Sequence, residues 1–484
     1  MNRIIFLFVI SVLLSFSANG QRINALSLTD AIMLSREQSP ASKQAETRRN
    51  NSYWQYRTFK SNYNPQLVLR GNLPGYNRDY FSNTLDDGTI NFQSREQINS
   101  SLNLGLNQPI AFSGGNLSVN TNLNYFNDIQ QHIDRYNTTV VNVRLDQPLF
   151  GYNPLKWDKR TEPLRYEESK RTYVEQMEFV SRESVRHFFD FLDAQINYQI
   201  ADFNLTNNDT IYKIEEGRYN IGTTSKDKLL QVELQLLRSQ QDVTQAQLDL
   251  QTASQKLRAY LAIQSPDTLQ LILPEEIPNF DILMQDALMY AKMNRSDYIL
   301  FERSRLEAER DVAEARKQRF SANLVASYGL NTASDDFEDA YYNPNDQQRL
   351  DIGLAVPILD WGRNKARIQT ALANQQLNEY VLEQDLQNFE EEIITLVRRF
   401  EVLRNQLKIS KKSDEVADER YKVAQNRYLT GKVGITDLNI ALNEKDAAKR
   451  SYIKALRDFW IAYFDLRRLT LYDFANKELL YVPE

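Results

Sequence analysis

The sequence predicts an α+β membrane protein in which membrane-crossing strands alternate with helices too long for a small globular domain. Three observations predict it. Six segments alternate apolar with small polar residues at period two. Six others are helical in composition, rich in Gln, Glu, Ala, Leu, Arg and Lys and almost free of Pro and Gly. Two heptad seams recur at one fixed offset, so the chain reads as two internal repeats.

The chain of 484 residues begins MNRIIFLFVISVLLSFSANGQ. One charge, Arg3, precedes an apolar run from Ile4 to Phe16, and Ala18 and Gly20 supply the small residues of a cleavage site. Residues 1–20 therefore read as a secretory signal peptide. The formal net charge is −6, and −7 once Arg3 is removed, which argues against a general nucleic-acid binder. With no cysteine there is no disulfide framework, thiolate metal site or lipidated N-terminal Cys. The two histidines, His132 and His187, lie far apart, so no histidine metal centre or catalytic centre is expected, and no cofactor. After residue 20 no run approaches the ~18 apolar residues of a membrane helix. Alternating strands remain a route across a membrane, because they keep average hydropathy low.

The helical segments are roughly 27–61, 155–219, 224–263, 281–318, 364–428 and 434–471. The second and fifth would each reach about 100 Å at 1.5 Å per residue. The strand segments carry the complementary pattern. Val141, Val143, Leu145 and Leu149 alternate with Asn142, Arg144 and Asp146. Leu350, Ile352, Leu354, Val356 and Ile358 alternate with Asp351, Gly353 and Ala355. Leu102, Leu104 and Leu106 form a third strand, and Leu117 to Tyr125 a fourth. Shorter versions lie at Leu67, Leu69 and Leu73 and at Leu324 to Leu330. One apolar and one small polar face is the pattern of strands with lipid outside and water inside. Tyr76, Tyr80, Phe81, Phe126, Tyr136, Tyr341 and Tyr342 are expected at or beyond the strand ends, as an aromatic girdle.

Leu229, Val232, Leu236, Ser239, Val243, Ala246, Leu250, Ala253, Leu257 and Tyr260 step by three and four throughout, a heptad seam. An offset of 209 maps them onto Leu438, Ala441, Lys445, Ala448, Tyr452, Ala455, Phe459, Ala462, Leu466 and Leu469. Only Ser239 and Lys445 break the two seams. The same offset maps LDQPLF onto LAVPIL and Gly222 onto Gly431. Residues 21–274 form the first repeat, 275–474 the second and 475–484 a tail. Asp30-Ala31 matches Asp286-Ala287 at an offset of 256, so the first repeat holds about 47 extra residues, including the Leu102 and Leu117 strands. These form an added hairpin, expected to widen the barrel, with a place on its outer surface as the alternative.

Two strand exits, QPLFGYNPLKW and VPILDWGRNKA, and two turns, RYNIG at 218–222 and RYLTG at 427–431, accompany the duplication. In their order and spacing, and over nearly the whole mature chain, the sequence resembles the TolC-like outer-membrane efflux proteins. The resemblance implies a homotrimer with one shared β-barrel in outer-membrane lipid and one α-helical coiled-coil tunnel through the periplasm. It implies a passive exit duct of a tripartite efflux or type I secretion system. The partners would be a periplasmic adaptor and an inner-membrane RND or ABC transporter.

The resemblance also implies two roles for the turns. Ile221, Gly222 and Thr223, with Thr430, Gly431 and Lys432, would dock the adaptor. Thr and Lys stand where the family often has Leu. Tyr428 and Asp437 match positions that close the periplasmic entrance and ring it with carboxylates. A second ring Asp is here Ile440 and a gate Arg is Val433, so Asp227, Lys228, Arg218, Arg427 and Lys432 are the candidate replacement partners. A coiled-coil surface protein without transport would explain the heptads but not the strands. An exported hydrolase would need an acid pair in a cleft, and Glu390, Glu391 and Glu392 read simply as a solvated helix face.

Overall fold

The computed structural model describes residues 23–264, 268–274 and 276–482, so the signal-peptide reading lies outside the described residues. In order the elements are β1 (Ile23–Leu26), α1 (Leu28–Gln38), α2 (Pro40–Ser61), β2 (Gln66–Thr84), β3 (Ile90–Ile110), β4 (Gly115–Asp128) and β5 (Ile133–Pro148). They continue as α3 (Pro154–Asn220), α4 (Lys226–Leu261), β6 (Thr268–Leu271), α5 (Met284–Asn294), α6 (Ser296–Lys317), β7 (Ser321–Ser334) and β8 (Asn345–Ala355). The chain ends in α7 (Arg363–Leu429), α8 (Ile435–Thr470), β9 (Tyr472–Asp473) and β10 (Glu478–Leu479). It divides into two units, one of residues 1–49, 170–296 and 387–484, the other of residues 50–169 and 297–386.

The second unit holds a six-stranded antiparallel sheet in the order β2-β3-β4-β5-β7-β8. All six strands read from the alternation are present, and the added hairpin lies inside the sheet, between β2 and β5. Register fixes the two faces, because directly opposed residues point the same way. Leu67, Leu106, Val119, Val143 and Tyr328 form one cross-strand row. The parallel row beside it runs Leu117, Leu145, Ala326 and Leu350. On the edge strands the apolar side chains of this face are bare: Leu67 is 66% exposed, Leu350 73%, Ile352 67% and Leu354 69%. A sheet packed on a protein core would cover them, so the face is suited to lipid. The opposite face is polar, with a row of Gln66, Asn107, Ser118, Arg144, Ser327 and Arg349. On it Arg144 holds Asp146 at 2.8 Å, and Arg349 holds Asp351.

The aromatic girdle needs correcting. Tyr76, Tyr80 and Phe81 lie within β2, Phe126 within β4 and Tyr136 within β5; only Tyr341 and Tyr342 fall between strands. The ladder of β2 with β3 continues from Gly75↔Asn99 to Thr84↔Ile90, well past the last Leu of the alternation. Main-chain pairing carries the strands beyond the stretch that the apolar pattern marks.

The first unit is helical. α3 and α7 each contain 67 residues, close to the expected lengths. In α4 every residue of the heptad seam is buried or half-buried, while most of its neighbours are exposed. The second seam in α8 is likewise buried or half-buried, but there the neighbours Leu442, Ile453, Leu456, Tyr463 and Phe464 are buried too, so α8 is covered on more than its seam. The two breaks have polar solutions. Ser239 Oγ accepts from Asn208 Nδ2 at 2.6 Å, which satisfies a buried pair. Lys445 lays its ammonium over the rings of Phe203 and Tyr421, at 4.1 and 4.7 Å.

Two expected helices are each two helices. Ser39 is extended (ψ 148), as the residue before Pro40 must tend to be, and Pro40 opens α2. Arg295 is also extended (ψ 148), with no proline nearby. Here Glu175 accepts from the amide of Ser296 at 2.8 Å and its hydroxyl at 2.9 Å, and so caps α6 from another helix. The acids at 390–392 are not simply a solvated face: Glu390 pairs with Lys292, and Glu392 with Arg295 at 3.0 Å. The short parallel pair of β1 with β6 and the antiparallel pair of β9 with β10 had no counterpart in the sequence reading.

A buried ionic cluster joins the ends of the chain within this unit. Glu178 in α3, with a side chain 1% exposed, meets Arg467 of α8 at 2.7 Å and Arg36 of α1 at 2.9 Å. Arg467 also binds Asp473, which is fully buried and accepts from Tyr463 at 2.9 Å.

Candidate functional site at the two helical turns

Each turn is built by a glycine that ends a long helix. Gly222 has φ +77 and Gly431 φ +73, the left-handed region where an L side chain is strained. The Gly222 amide donates to the Tyr219 carbonyl at 2.9 Å and the Thr223 amide to Arg218 at 2.8 Å. The Gly431 amide donates to Tyr428 at 3.0 Å and the Lys432 amide to Arg427 at 2.9 Å. These paired bonds are Schellman motifs, which satisfy carbonyls left open at a helix C-terminus. Ser225 then caps α4 through the Lys228 amide, whereas Gly434 caps α8 without a side chain. Nothing lies within 4 Å of a Cβ built on either turn glycine, so backbone conformation alone demands glycine. Gly431→Ala is expected to cost about 1–2 kcal/mol of local strain. Hydrogen exchange at the Lys432 amide should accelerate about fivefold to thirtyfold, and unchanged exchange would contradict this account of the turn.

The six turn residues stand free at the surface. Ile221 is 75% exposed, and Gly222, Thr223, Thr430, Gly431 and Lys432 are exposed as well. Tyr428 behaves differently, at 3% exposure. Its ring packs in a cluster with Ile211, Val232, Tyr421, Ile435, Leu438, Ala441 and Leu442. Val433 lies partly buried against this cluster and makes an apolar contact there.

The hydroxyl of Tyr428 donates to Glu215 Oε1 at 2.8 Å. Arg218 donates to the same oxygen at 2.6 Å, and its guanidinium lies 5.4 Å from the centre of the Tyr428 ring. This ties the end of α7 to the end of α3. Burial alone would raise the Glu215 carboxyl; the hydrogen bonds from Tyr428, Arg218 and Thr224 outweigh it and hold the group below its ordinary value. Burial and the Glu215 charge push the Tyr428 phenol up, so it stays a donor at neutral pH. Sequence reasoning missed Glu215. Its only signal was a Glu-x-x-Arg helix pair one turn before the glycine.

The structure therefore brings Tyr428 together with Arg218, but not with the other candidates. Asp437, Asp227 and Lys228 are exposed. Among the described residues, their side chains and those of Arg427 and Lys432 make no hydrogen bond or ion pair. Within one chain Asp437 is thus a bare carboxylate in the first turn of α8, where the helix dipole favours it. No group of three or more His, Cys, Asp or Glu that could hold a metal occurs among the described residues.

A family model described as outer membrane efflux protein matches residues 116–262 and 294–470. Among solved structures, that of CusC, described with the conformational changes that accompany its folding and transmembrane channel formation, is 17% identical. It covers 92% of this chain and 91% of its own, with a TM-score of 0.63. The Campylobacter jejuni CmeC outer membrane channel is 14% identical, with 94% and 87% covered and a TM-score of 0.66. The outer membrane protein VceC of Vibrio cholerae is 14% identical, with 92% and 95% covered and a TM-score of 0.61. No match was found among curated protein sequences.

Proposed function

We propose, from the premise that this chain belongs to the outer membrane efflux protein family, that three copies close their sheets into one barrel and their helices into one tunnel. The chain is an outer-membrane exit duct with a periplasmic extension. The observation that carries the proposal is the open sheet. Among the described residues β2 pairs only with β3, and β8 only with β7, so each keeps an unpaired edge. Unpaired backbone groups in lipid cost several kcal/mol each, so the edges need partners. Pairing β8 of one copy with β2 of the next supplies them. Six strands from each of three copies make eighteen, a size at which barrels hold an aqueous channel.

The helices support the same assembly. On α7, Val402, Ile409, Val416 and Val423 recur every seven residues and are 64, 67, 53 and 53% exposed. On α4, Leu230, Leu234, Leu237 and Leu248 form a second bare stripe, 50–57% exposed. Two different apolar stripes on one subunit fit a head-to-tail contact that closes into a ring. The internal duplication would let both hairpins share one tunnel wall. A heat-modifiable trimer in the outer-membrane fraction is the expected result; a protein that runs only as a monomer would contradict the assembly.

In this reading the turns face the periplasm. Ile221, Gly222, Thr223, Thr430, Gly431 and Lys432 dock a periplasmic adaptor, which couples the duct to an RND or ABC transporter. Tyr428 and Asp437 form the gate, with Asp227 and Lys228 of the neighbouring hairpin as cross-copy partners. Two carboxylates about 4 Å apart repel by roughly 1 kcal/mol in water and roughly 4 kcal/mol at an effective dielectric of 20. Three Asp437 side chains on one axis therefore need a basic neighbour, a cation or partial protonation. Asp437→Ala is expected to make the duct leakier, or insensitive to divalent block, without loss of the trimer. Unchanged conductance and unchanged cation block would remove Asp437 from the gate.

A further inference from the structure

We infer that the junction of β8 with α7 holds an anionic phospholipid of the leaflet that faces the periplasm, with the headgroup on Arg319 and Lys365. A groove of about 750 Å³ lies there, lined by Arg319 and Phe320 on one side and by residues from Val356 to Gln369 on the other. Its lining is graded. Phe320, Val356, Pro357 and Ile358 form the strand side, and Asn364, Lys365, Ile368 and Gln369 open the helix. Val356 and Ile358, 53 and 99% exposed, follow directly after β8, whose bare residues are Leu350, Ile352 and Leu354. The groove thus adjoins the end of the strand that carries the face suited to lipid tails.

Its charges point the same way. Arg319 and Lys365 are exposed and, among the described residues, have no hydrogen-bond or ion-pair partner. The one acid in the lining, Asp360, is held ionised by the amides of Asn364 at 3.1 Å and Gly362 at 3.0 Å, so the two cations leave the lining one net positive charge. Two free cations above an apolar wall match a phosphate above an acyl chain. The corresponding exit after β5 is closed instead. There Asn153 donates to the Ala111 carbonyl at 2.8 Å and Gln147 to Ser113 at 3.1 Å, so the turn of the added hairpin fills the space. The chain has no cysteine to carry a lipid of its own. The inference rests on the reading of the sheet as a lipid-facing barrel wall.

Trp361, beside the groove and 89% exposed, is the reporter. The trimer is placed in phosphatidylcholine vesicles with a minor fraction of dibrominated phosphatidylglycerol or dibrominated phosphatidylcholine. The quenching lost in Trp361→Phe gives the Trp361 signal. Phosphatidylglycerol should quench it at about fivefold lower mole fraction, and Arg319→Gln/Lys365→Gln should abolish that preference while leaving the trimer intact. Equal quenching by the two lipids, or a preference that survives the double substitution, overturns the site. Loss of the preference to soluble glycerophosphoglycerol would mark a phosphate site without a lipid and overturns it too. If a neighbouring copy fills the groove, neither lipid quenches Trp361 while Ile352→Trp is still quenched. That rejects the lipid site and spares the barrel. Absence of quenching at both positions rejects the barrel wall itself.

Discussion

Arg467→Ala is expected to destabilise the subunit by about 3–5 kcal/mol, the largest single-residue effect anticipated in this chain. Arg467 stands between two buried carboxylates, Glu178 at 1% and Asp473 at 0% side-chain exposure. Removing the guanidinium leaves Asp473 with Tyr463, the Asn476 side chain and backbone amides, and Glu178 with the half-solvated Arg36. A loss of this size is a large part of the roughly 5–15 kcal/mol that stabilises a typical domain. The temperature at which the trimer dissociates on a gel should fall sharply. Glu178→Ala should cost much less in the Arg467→Ala background than alone, because each substitution removes the other's partner. Additive losses would show that the cluster does not act as a unit.

Tyr428→Phe should open the gate with little effect on folding of the trimer. It keeps the ring in its cluster but removes a hydrogen bond to a buried carboxylate, a bond worth about 1.5–3 kcal/mol. If that bond forms only in the closed arrangement, the closed-to-open ratio falls by about tenfold to a hundredfold. Cells carrying the variant should become sensitive to a large polar antibiotic that the wild-type duct excludes. Glu215→Gln, which removes the charge, should act in the same direction. The pH dependence follows from the lowered Glu215 value. The link is fully present above the unfolded carboxylate range and is lost as pH falls through the folded value. The gate should therefore stay closed through neutral and mildly acidic conditions and loosen only in stronger acid. A Tyr428→Phe strain as resistant as its parent would show that the bond does not hold the gate.

Much of the fold was legible because two periodicities carry it. Alternation such as Leu350-Asp351-Ile352-Gly353 survives in any register, since a strand shows each residue to one face. Steps of three and four, as from Leu229 to Tyr260, mark the buried side of a helix whatever its partner. Pro40 could have shown the break at Ser39, but the helical composition on both sides masked it. The break at Arg295 was not legible, because it depends on Glu175, more than a hundred residues away. The site divides similarly. The glycines were readable, since a left-handed helix end asks for glycine. Glu215 was not, because its importance comes from Tyr428, a partner on another helix. The repeats even misdirect here: the counterpart of buried Tyr428 is Tyr219, which is 40% exposed.

In the proposed assembly three copies form one passive duct, gated at the helical turns. Single-channel recording of the purified trimer in a planar bilayer, with no adaptor, transporter or nucleotide present, tests it most directly. Discrete ohmic steps are expected, with low open probability in the wild type and at least about tenfold more in Tyr428→Phe. No conductance from either trimer, or identical records from both, would contradict it.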